Sequence, residues 1–228
     1  MRYLLFDIDG TLLETDGAGS HAIAAALSAE FGVSEPSMRL NFSGKTDGYL
    51  LSELLKRNGL PADASHLQRF RRSYLRRFTD SMRYCGGRLL PGVESLLDRC
   101  QRSDDVRCFV MTGNCVASGQ EKLRHFNLLE RFEAVFGGDH DRSRDELAVR
   151  TRQSLRQSHQ CGVDDEIVVI GDTPADVLCG QTIDAATVAV ATGRYDLPTL
   201  RRVEPDLACQ TLCDGDVVSM LLRRCQSA

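Results

Sequence analysis

From Pro91 onward, short apolar stretches alternate with helical stretches, and this alternation constrains the fold more than any other feature of the sequence. The apolar stretches are VRCFVM (106–111), FEAVF (132–136), EIVVI (166–170) and TVAVA (187–191). Helical patterns occupy 93–102, 116–126, 145–157, 174–183 and about 215–225. Apolar strands that alternate with helices are typical of a parallel sheet covered by helices on both faces.

A first strand, RYLLFD at 2–7, is separated from this alternation by a segment that reads as helical. The predicted helices of this segment are 20–31, 47–58 and 63–83. Ser20 is the predicted N-cap of the first of them. No strand is expected within 35–90. The sequence therefore predicts a doubly wound, mostly parallel α/β core with an inserted α-helical cap. The core is assigned to 1–15 and 89–228, and the cap to 16–88.

Composition restricts the partners and the compartment of the protein. The net charge of −4 does not favour nucleic acid, which selects basic domains. No apolar run approaches the roughly 20 residues that span a bilayer, and the N-terminal run is too short for a signal peptide. The nine cysteines are odd in number and scattered. We expect them to be reduced and mostly buried, in a cytoplasmic protein.

Polar residues follow three of the predicted strands. The first strand ends at Asp7 and Asp9, VRCFVM is followed by Thr112-Gly113-Asn114, and EIVVI is followed by the segment GDTPAD at 171–176. Ligands of such sheets bind beyond the carboxyl ends of the strands, so we expect these segments to meet. Several carboxylates in one crevice repel each other unless a cation neutralises them, and oxygen ligands suit Mg²⁺.

Each of these segments also has a purely structural interpretation. An Asp-x-Asp after a strand is common turn chemistry, and Thr112 could cap a helix. Thr173 and Pro174 could likewise begin a helix as its N-cap and first residue. The functional interpretation is favoured because the segments occur together, in chain order, and each follows an apolar strand.

These segments resemble the motifs of haloacid dehalogenase superfamily hydrolases, of the phosphoglycolate-phosphatase-like kind with a helical cap. The resemblance covers essentially all 228 residues. It is carried by FDIDGTL at 6–12 and by GDTPAD at 171–176, with Thr112-Gly113-Asn114 in the expected position. The segment GKTD at 44–47 resembles the cap segment that follows the first helix in such phosphatases.

The resemblance implies a phosphatase that acts on a small phosphorylated metabolite. Asp7 would be the nucleophile that forms an aspartyl-phosphate, and Asp9 the general acid and then the general base. The side chains of Asp7 and Asp172 and the backbone carbonyl of Asp9 would bind Mg²⁺. Asp176 would orient the magnesium shell.

The resemblance also implies a phosphate site and one departure from the family pattern. Thr112 would bind a phosphate oxygen through its hydroxyl, with the amide of Gly113. The family places a cation, usually lysine, in its third motif, but no lysine follows Lys122 in this chain. An arginine must serve instead, either Arg144, which is favoured, or Arg142.

Other features and functions are weighed against this interpretation. The segment Gly44-Lys45-Thr46 lacks the first glycine of a P-loop, since position 39 is arginine, and Lys45 remains a candidate contact for the leaving group. The cap arginines 69, 71, 72, 76 and 77 are interpreted as a solvated helix face. Alternatives are a dehalogenase or phosphomutase of the same fold, or an inactive binding protein. The substrate and the oligomeric state stay open.

Overall fold

The computed structural model describes residues 1–222, which contain a central sheet of six parallel strands. The spatial order of these strands is β5-β4-β1-β6-β7-β8. Their bounds are β1 Arg2–Phe6, β4 Val106–Thr112, β5 Val135–Gly137, β6 Glu166–Gly171, β7 Ala186–Val190 and β8 Leu207–Cys209. The predicted parallel α/β core is confirmed, with the first strand of the chain near the middle of the sheet.

Side chains alternate between the two faces of the sheet along each strand, and both faces are buried in apolar clusters. On β1, Leu4 and Phe6 join one apolar cluster, whereas Tyr3 and Leu5 join the cluster on the other face. The first cluster includes residues of helices α4 (Val93–Gln101), α5 (Val116–His125) and α9 (Gly215–Leu222). The second includes residues of α6 (Arg144–Ser158) and α7 (Pro174–Thr182). The core is therefore doubly wound, as predicted.

Three helices between the first and second strands of the sheet have an apolar cluster of their own. They are α1 Ala18–Phe31, α2 Asp47–Arg57 and α3 Ala64–Cys85. Apolar residues from each of the three helices fill the space between them. Examples are Leu27, Leu51 and Phe70, which are at most 1% exposed. This confirms the helical insert, and the exact bounds of a separate cap stay a prediction.

The chain enters and leaves this insert through a short antiparallel pair, β2 (Leu13–Glu14) and β3 (Arg88–Leu89). The expectation that 35–90 contains no strand is therefore wrong at its last residues. A two-residue strand has no alternation that a sequence pattern could detect. Gly87 permits the close approach, since a Cβ there would lie 2.2 Å from the carbonyl oxygen of Glu14.

Two further boundaries differ from the predictions, and two short elements were not predicted. Helix α1 begins at Ala18 after Gly17, which has φ 86°, so Ser20 is not its N-cap. The strand expected at 132–136 begins only at Val135, because a 3-10 turn occupies 129–131. The short elements α8 (Leu197–Arg201) and β8 were not predicted. The final helix is described to Leu222, so the predicted continuation to 225 lies outside the described residues.

Within residues 1–222, no helix has the length and apolarity needed to cross a bilayer. The described cysteines are free thiols, and most of them are buried. The expectation of reduced, buried cysteines agrees with this arrangement.

Candidate active site

The carboxyl ends of β1, β4 and β6 open into one cavity of about 480 Å³. The residues that sequence reasoning selected at these strand ends line it together: Asp7, Asp9, Thr112, Gly113, Arg144 and Asp172. Residues of the helical insert, among them Ile23, Lys45 and Tyr74, form the opposite wall. The structure thus brings the separate sequence motifs to one place between the sheet edge and the insert.

Three carboxylates form a cluster at this cavity: Asp7 and Asp172 line it, whereas Asp176 is buried beside them and does not. Asp7, Asp172 and Asp176 each offer an oxygen, and these atoms lie within 4.8 Å of one another. The chain wraps closely around Asp172, because a Cβ on Gly10 or Gly193 would lie 2.4 or 1.7 Å from its Oδ2. Only glycine at these two positions permits that approach, so the carboxylate of Asp172 is held in place from two sides.

Burial and mutual repulsion raise the pKa values of two of these acids. Burial raises the pKa of Asp7 to about 7, against the lowering effect of Arg144 and with further increases from Asp176 and Asp9. Burial, together with the charges of Asp176 and Asp7, raises the pKa of Asp172 to about 9. Without a cation, the cluster therefore retains protons at neutral pH.

Arg144 lies within this cluster. Its Nη1 is 3.4 Å from Oδ1 of Asp7, and its Nη2 donates to Oδ1 of Asp176. The residue is 5% exposed, and the two acids raise the pKa of its guanidinium. Arg142 is exposed instead and lies along a different groove beside His140. If all three carboxylates are ionised, the one guanidinium leaves two uncompensated negative charges, which a divalent cation bound by oxygen ligands would neutralise.

The N-cap of the helix that carries Arg144 determines where the helix begins. Ser143 is the N-cap of α6, and its hydroxyl accepts from the amide of Glu146 at 3.2 Å. The carboxylate of Glu146 in turn accepts from the amide of Arg142 at 2.8 Å. Arg144 is therefore the first residue of the helix and faces the sheet edge, whereas Arg142 is held outside the helix.

Asp176 is also fixed by a helix cap. Thr173 is the N-cap of α7 and Pro174 is its first residue, as the sequence predicted. Oδ2 of Asp176 accepts from the amide of Thr173 at 3.0 Å and from its hydroxyl at 2.7 Å. This reciprocal arrangement leaves Oδ1 of Asp176 to face Arg144 and the acid cluster.

Within residues 1–222, the hydroxyl of Thr112 accepts hydrogen bonds and donates none. Its Oγ1 accepts from the side-chain amide of Asn114 at 2.8 Å and from the backbone amide of Asn114 at 3.3 Å. Since a hydroxyl has one hydrogen and two lone pairs, the remaining hydrogen of Thr112 can be directed at an anion in the cavity. This geometry suits the phosphate oxygen that sequence reasoning assigned to Thr112.

The cap segment at 44–48 lies directly against the loops of the core. The hydroxyl of Thr46 donates to the carbonyl of Asp141 at 2.6 Å, and the amide of Asp47 donates to the carbonyl of Gly113 at 2.7 Å. A Cβ on Gly113 would lie 2.1 Å from the carbonyl oxygen of Lys45. The side chain of Lys45 is exposed at the rim of the cavity, 5.7 Å from the ring of Tyr49.

The cap arginines lie away from the cavity. Arg69 and Arg76 pair with Glu30, Arg77 contacts Ser73, and Arg71 donates to the carbonyl of Asp139. In the described part of the chain, none of the five lines the cavity.

Sequence reasoning did not predict the side-chain contacts of three polar residues of the site, Asn114, Lys122 and Asp47. Lys122 and Asn114 both contact Asp9. Asp47 accepts from the amide of Cys115 at 2.7 Å, and burial raises its pKa. No local pattern marks these contacts, because Lys122 and Asp9 are 113 residues apart and Asp47 and Cys115 are 68 apart.

The raised pKa values predict how stability depends on pH. Asp7 and Asp172 have pKa values of about 7 and 9 in the folded protein, against 3.8 for the unfolded chain. The folded state therefore binds more protons than the unfolded state between these values, and the contribution of both groups to the free energy of unfolding falls as pH rises from 3.8 to about 9. Thermal unfolding in EDTA should show this fall, and Asp172→Asn should reduce its slope.

Added Mg²⁺ should raise the melting temperature more at about pH 8 than at about pH 5, because at the lower pH it must displace protons. An equal effect of Mg²⁺ at both values would contradict a cation site in this cluster.

A family model described as haloacid dehalogenase-like hydrolase matches residues 4–190, which is most of the chain. None of the curated proteins matches the chain in sequence.

Solved structures share the fold over almost the whole chain. CbbY from Rhodobacter sphaeroides, in complex with phosphate, has a TM-score of 0.72 at 17% identity and covers 93% of this chain and 95% of its own. A predicted phosphoglycolate phosphatase from Haemophilus somnus has a TM-score of 0.70 at 18% identity, with 96% of both chains covered. A predicted phosphatase from Clostridium acetobutylicum has a TM-score of 0.69 at 19% identity, with 97% and 98% covered. At these identities the similarity establishes a shared fold only.

Proposed function

The chain belongs to the family of haloacid dehalogenase-like hydrolases, and from this premise we propose that it is a Mg²⁺-dependent phosphatase of a small phosphorylated metabolite. The observation that carries the proposal is the cluster of Asp7, Asp172 and Asp176, which lies beside Arg144 in the cavity that Thr112 also lines. A nucleophile, a cation site and donors for an anion thus lie together.

Asp7 is proposed as the nucleophile. A carboxylate oxygen of Asp7 forms a bond to phosphorus, and the ester bond between phosphorus and the leaving oxygen breaks. Asp9 gives a proton to the leaving oxygen. A water oxygen then forms a bond to phosphorus, the bond to Asp7 breaks, and Asp9 takes the proton of that water. Inorganic phosphate and an alcohol are the products.

The anionic phosphate would be held by three groups of this chain. The free hydrogen of the Thr112 hydroxyl and the amide of Gly113 would donate to its oxygens. Arg144 would hold Asp7 in position and offset the charge that accumulates beside it. The contacts of Arg144 with Asp7 and Asp176 support the proposal that it would perform the role that the family usually gives to lysine.

The residues fit a divalent cation, on the evidence of the crowded oxygen ligands and their raised pKa values. Asp7 and Asp172 would bind it through their side chains and Asp9 through its backbone carbonyl, while Asp176 orients this shell. When bound, Mg²⁺ would neutralise the cluster and draw electron density from the phosphoryl oxygens.

The competing functions differ in what they require of the site. A dehalogenase of this fold needs neither a second aspartate nor a cation, so Asp9, Asp172 and Asp176 favour phosphate chemistry. A phosphomutase would use the same residues and would return the phosphate to a sugar. An inactive binding protein would not require the acids to be intact. We retain the phosphatase, and phosphoglycolate, by analogy, is the first ester to test.

The compartment and partners follow the same reasoning. We propose a cytoplasmic enzyme on the basis of its free, mostly buried cysteines. The proposed partner is a small phosphate ester rather than nucleic acid, because the chain is acidic.

Release of phosphate from a panel of monoesters, in Mg²⁺ and in EDTA, tests the proposal. The panel includes an aryl phosphate, phosphoglycolate and sugar phosphates. We expect release in Mg²⁺ and a loss of at least about a hundredfold in EDTA, because the acid cluster is then uncompensated. Conversion of a sugar phosphate to its isomer, without release, would indicate the phosphomutase. No reaction of a folded, Mg²⁺-loaded protein with any ester would contradict the phosphatase.

A further inference from the structure

Lys122 is a buried lysine in the wall of the cavity. It is 4% exposed and lies on α5, on the side that faces β1 and the cap. Its Nζ donates to Oδ1 and Oδ2 of Asp9 at 2.7 and 2.5 Å and to Oδ1 of Asn114 at 2.7 Å. The ring of Phe78 from the cap lies 5.9 Å away. All three ammonium hydrogens therefore have partners, and two of the three contacts go to Asp9.

Lys122 also connects Asp9 with the proposed phosphate site. Asn114 accepts from Lys122 through Oδ1, and its amide nitrogen donates to Oδ2 of Asp9 at 2.7 Å and to Oγ1 of Thr112 at 2.8 Å. Asp9 is thus held on one side by two donors. Its side chain is 43% exposed, so its other side is open to the cavity.

Stability alone does not account for a lysine at this position. Burial of an ion pair costs desolvation that an apolar residue of similar volume avoids. The next residue, Leu123, is fully buried in the apolar core, so α5 packs by apolar contacts where no polar partner is present. A buried cation that contacts one carboxylate therefore indicates that the orientation of that carboxylate is fixed for a purpose other than stability.

We propose that Lys122 is a positioning residue that holds the carboxylate of Asp9 in one orientation, toward the leaving oxygen and afterwards toward the hydrolytic water. This rests on the phosphatase function proposed above. In the second step the water oxygen bonds to phosphorus, the bond to Asp7 breaks and the proton passes to Asp9. Lys122 neither gains nor loses a proton. Removal of Lys122 releases Asp9, and the step that depends most on its position becomes slow.

The test is pre-steady-state kinetics of Lys122→Met with a dinitrophenyl phosphate. The phenolate leaves without a proton, so formation of the aspartyl-phosphate needs little help from Asp9. We expect the burst of phenolate to persist while steady-state turnover falls about tenfold to a hundredfold, so that phosphoenzyme accumulates. Lys56→Met is the matched control, because Lys56 is exposed and, within residues 1–222, forms an ion pair only with Glu53. It should behave as the unaltered protein.

Two kinetic results would overturn this role. Equal loss of burst and turnover would mean that Lys122 only shapes the cavity. A raised KM with unchanged kcat would make it a substrate contact. Absence of phenolate release by the Mg²⁺-loaded unaltered protein, both in the burst and in steady state, would instead count against the phosphatase itself.

A measurement without turnover tests the pairing of Lys122 with Asp9 and does not require the Met variant to fold. The chain has only three lysines, Lys45, Lys56 and Lys122. Reductive methylation followed by mass spectrometry should label Lys122 at least about tenfold more slowly than Lys56, since Lys122 is 4% exposed and its Nζ is enclosed by Asp9 and Asn114. In Asp9→Ala, the labelling of Lys122 should accelerate. Equal labelling of Lys122 and Lys56 in the unaltered protein would overturn the pairing.

Discussion

Asp7→Asn is expected to lower kcat for phosphate-ester hydrolysis by about a thousandfold or more, because the amide cannot act as a nucleophile toward phosphorus. The change keeps the size of the side chain and removes one negative charge from a crowded cluster. Since burial raises the pKa of Asp7 to about 7, the folded protein already tolerates a neutral side chain at this position. The variant should therefore fold, and its metal-free form should be at least as stable as the unaltered protein.

The measurement is phosphate release together with detection of phosphoenzyme on Asp7 by mass spectrometry of quenched reactions. Asp184→Asn is the matched control. Asp184 is exposed and pairs with Arg152, and its φ of 53° is a conformation that asparagine readily adopts. Full activity of Asp7→Asn, beside an active Asp184→Asn, would rule out the covalent mechanism.

Arg144→Met is expected to damage both stability and activity. It leaves the buried carboxylates of Asp7 and Asp176 without their common partner, and loss of one member of a buried ion pair costs about 3–5 kcal/mol. Loss of a preorganised cation beside the reacting phosphate should also lower kcat by about a hundredfold to a thousandfold. Urea unfolding and steady-state kinetics would measure the two effects separately.

Two further variants sharpen this prediction. Arg142→Met is the matched control, because Arg142 is exposed and, in the described part of the chain, only its backbone amide donates a hydrogen bond, to Glu146. It should change neither quantity appreciably. Arg144→Lys keeps the charge but not the fork that reaches two acids at once, so we expect intermediate values. If Arg142→Met were inactive and Arg144→Met were active, the third-motif cation would have to be assigned to Arg142.

The contacts of Arg144 with two acids of the cluster support its proposed role in place of the lysine of the family pattern. A guanidinium can contact Asp7 and Asp176 at the same time, whereas an ammonium is a point charge. In this chain the buried lysine of the site, Lys122, contacts Asp9 instead. The two proposed roles of the cations, one beside the nucleophile and one beside the acid, are therefore separated in space and can be tested independently.

The sequence by itself determined the class of the fold and the set of acids. Continuous apolar strands can only lie inside a sheet covered on both faces, so the alternation after Pro91 predicted the parallel core. The carboxyl ends of parallel strands share one edge, so the sequence alone predicts that Asp7, Thr112 and Asp172 lie together. The sequence also predicts Thr173 as a helix N-cap, because an N-cap and its partner are only three residues apart.

Only the tertiary structure decided which cation lies beside which acid. Arg142 and Arg144 are two residues apart in the same loop, and the Ser143 cap determines which one faces the sheet edge. Lys122 meets Asp9, and Asp47 meets Cys115, across long separations in the chain. The pairing of β2 with β3 is likewise a long-range contact. Periodicity and capping report on neighbours within a few residues, whereas these contacts depend on how the insert and α5 pack against the sheet.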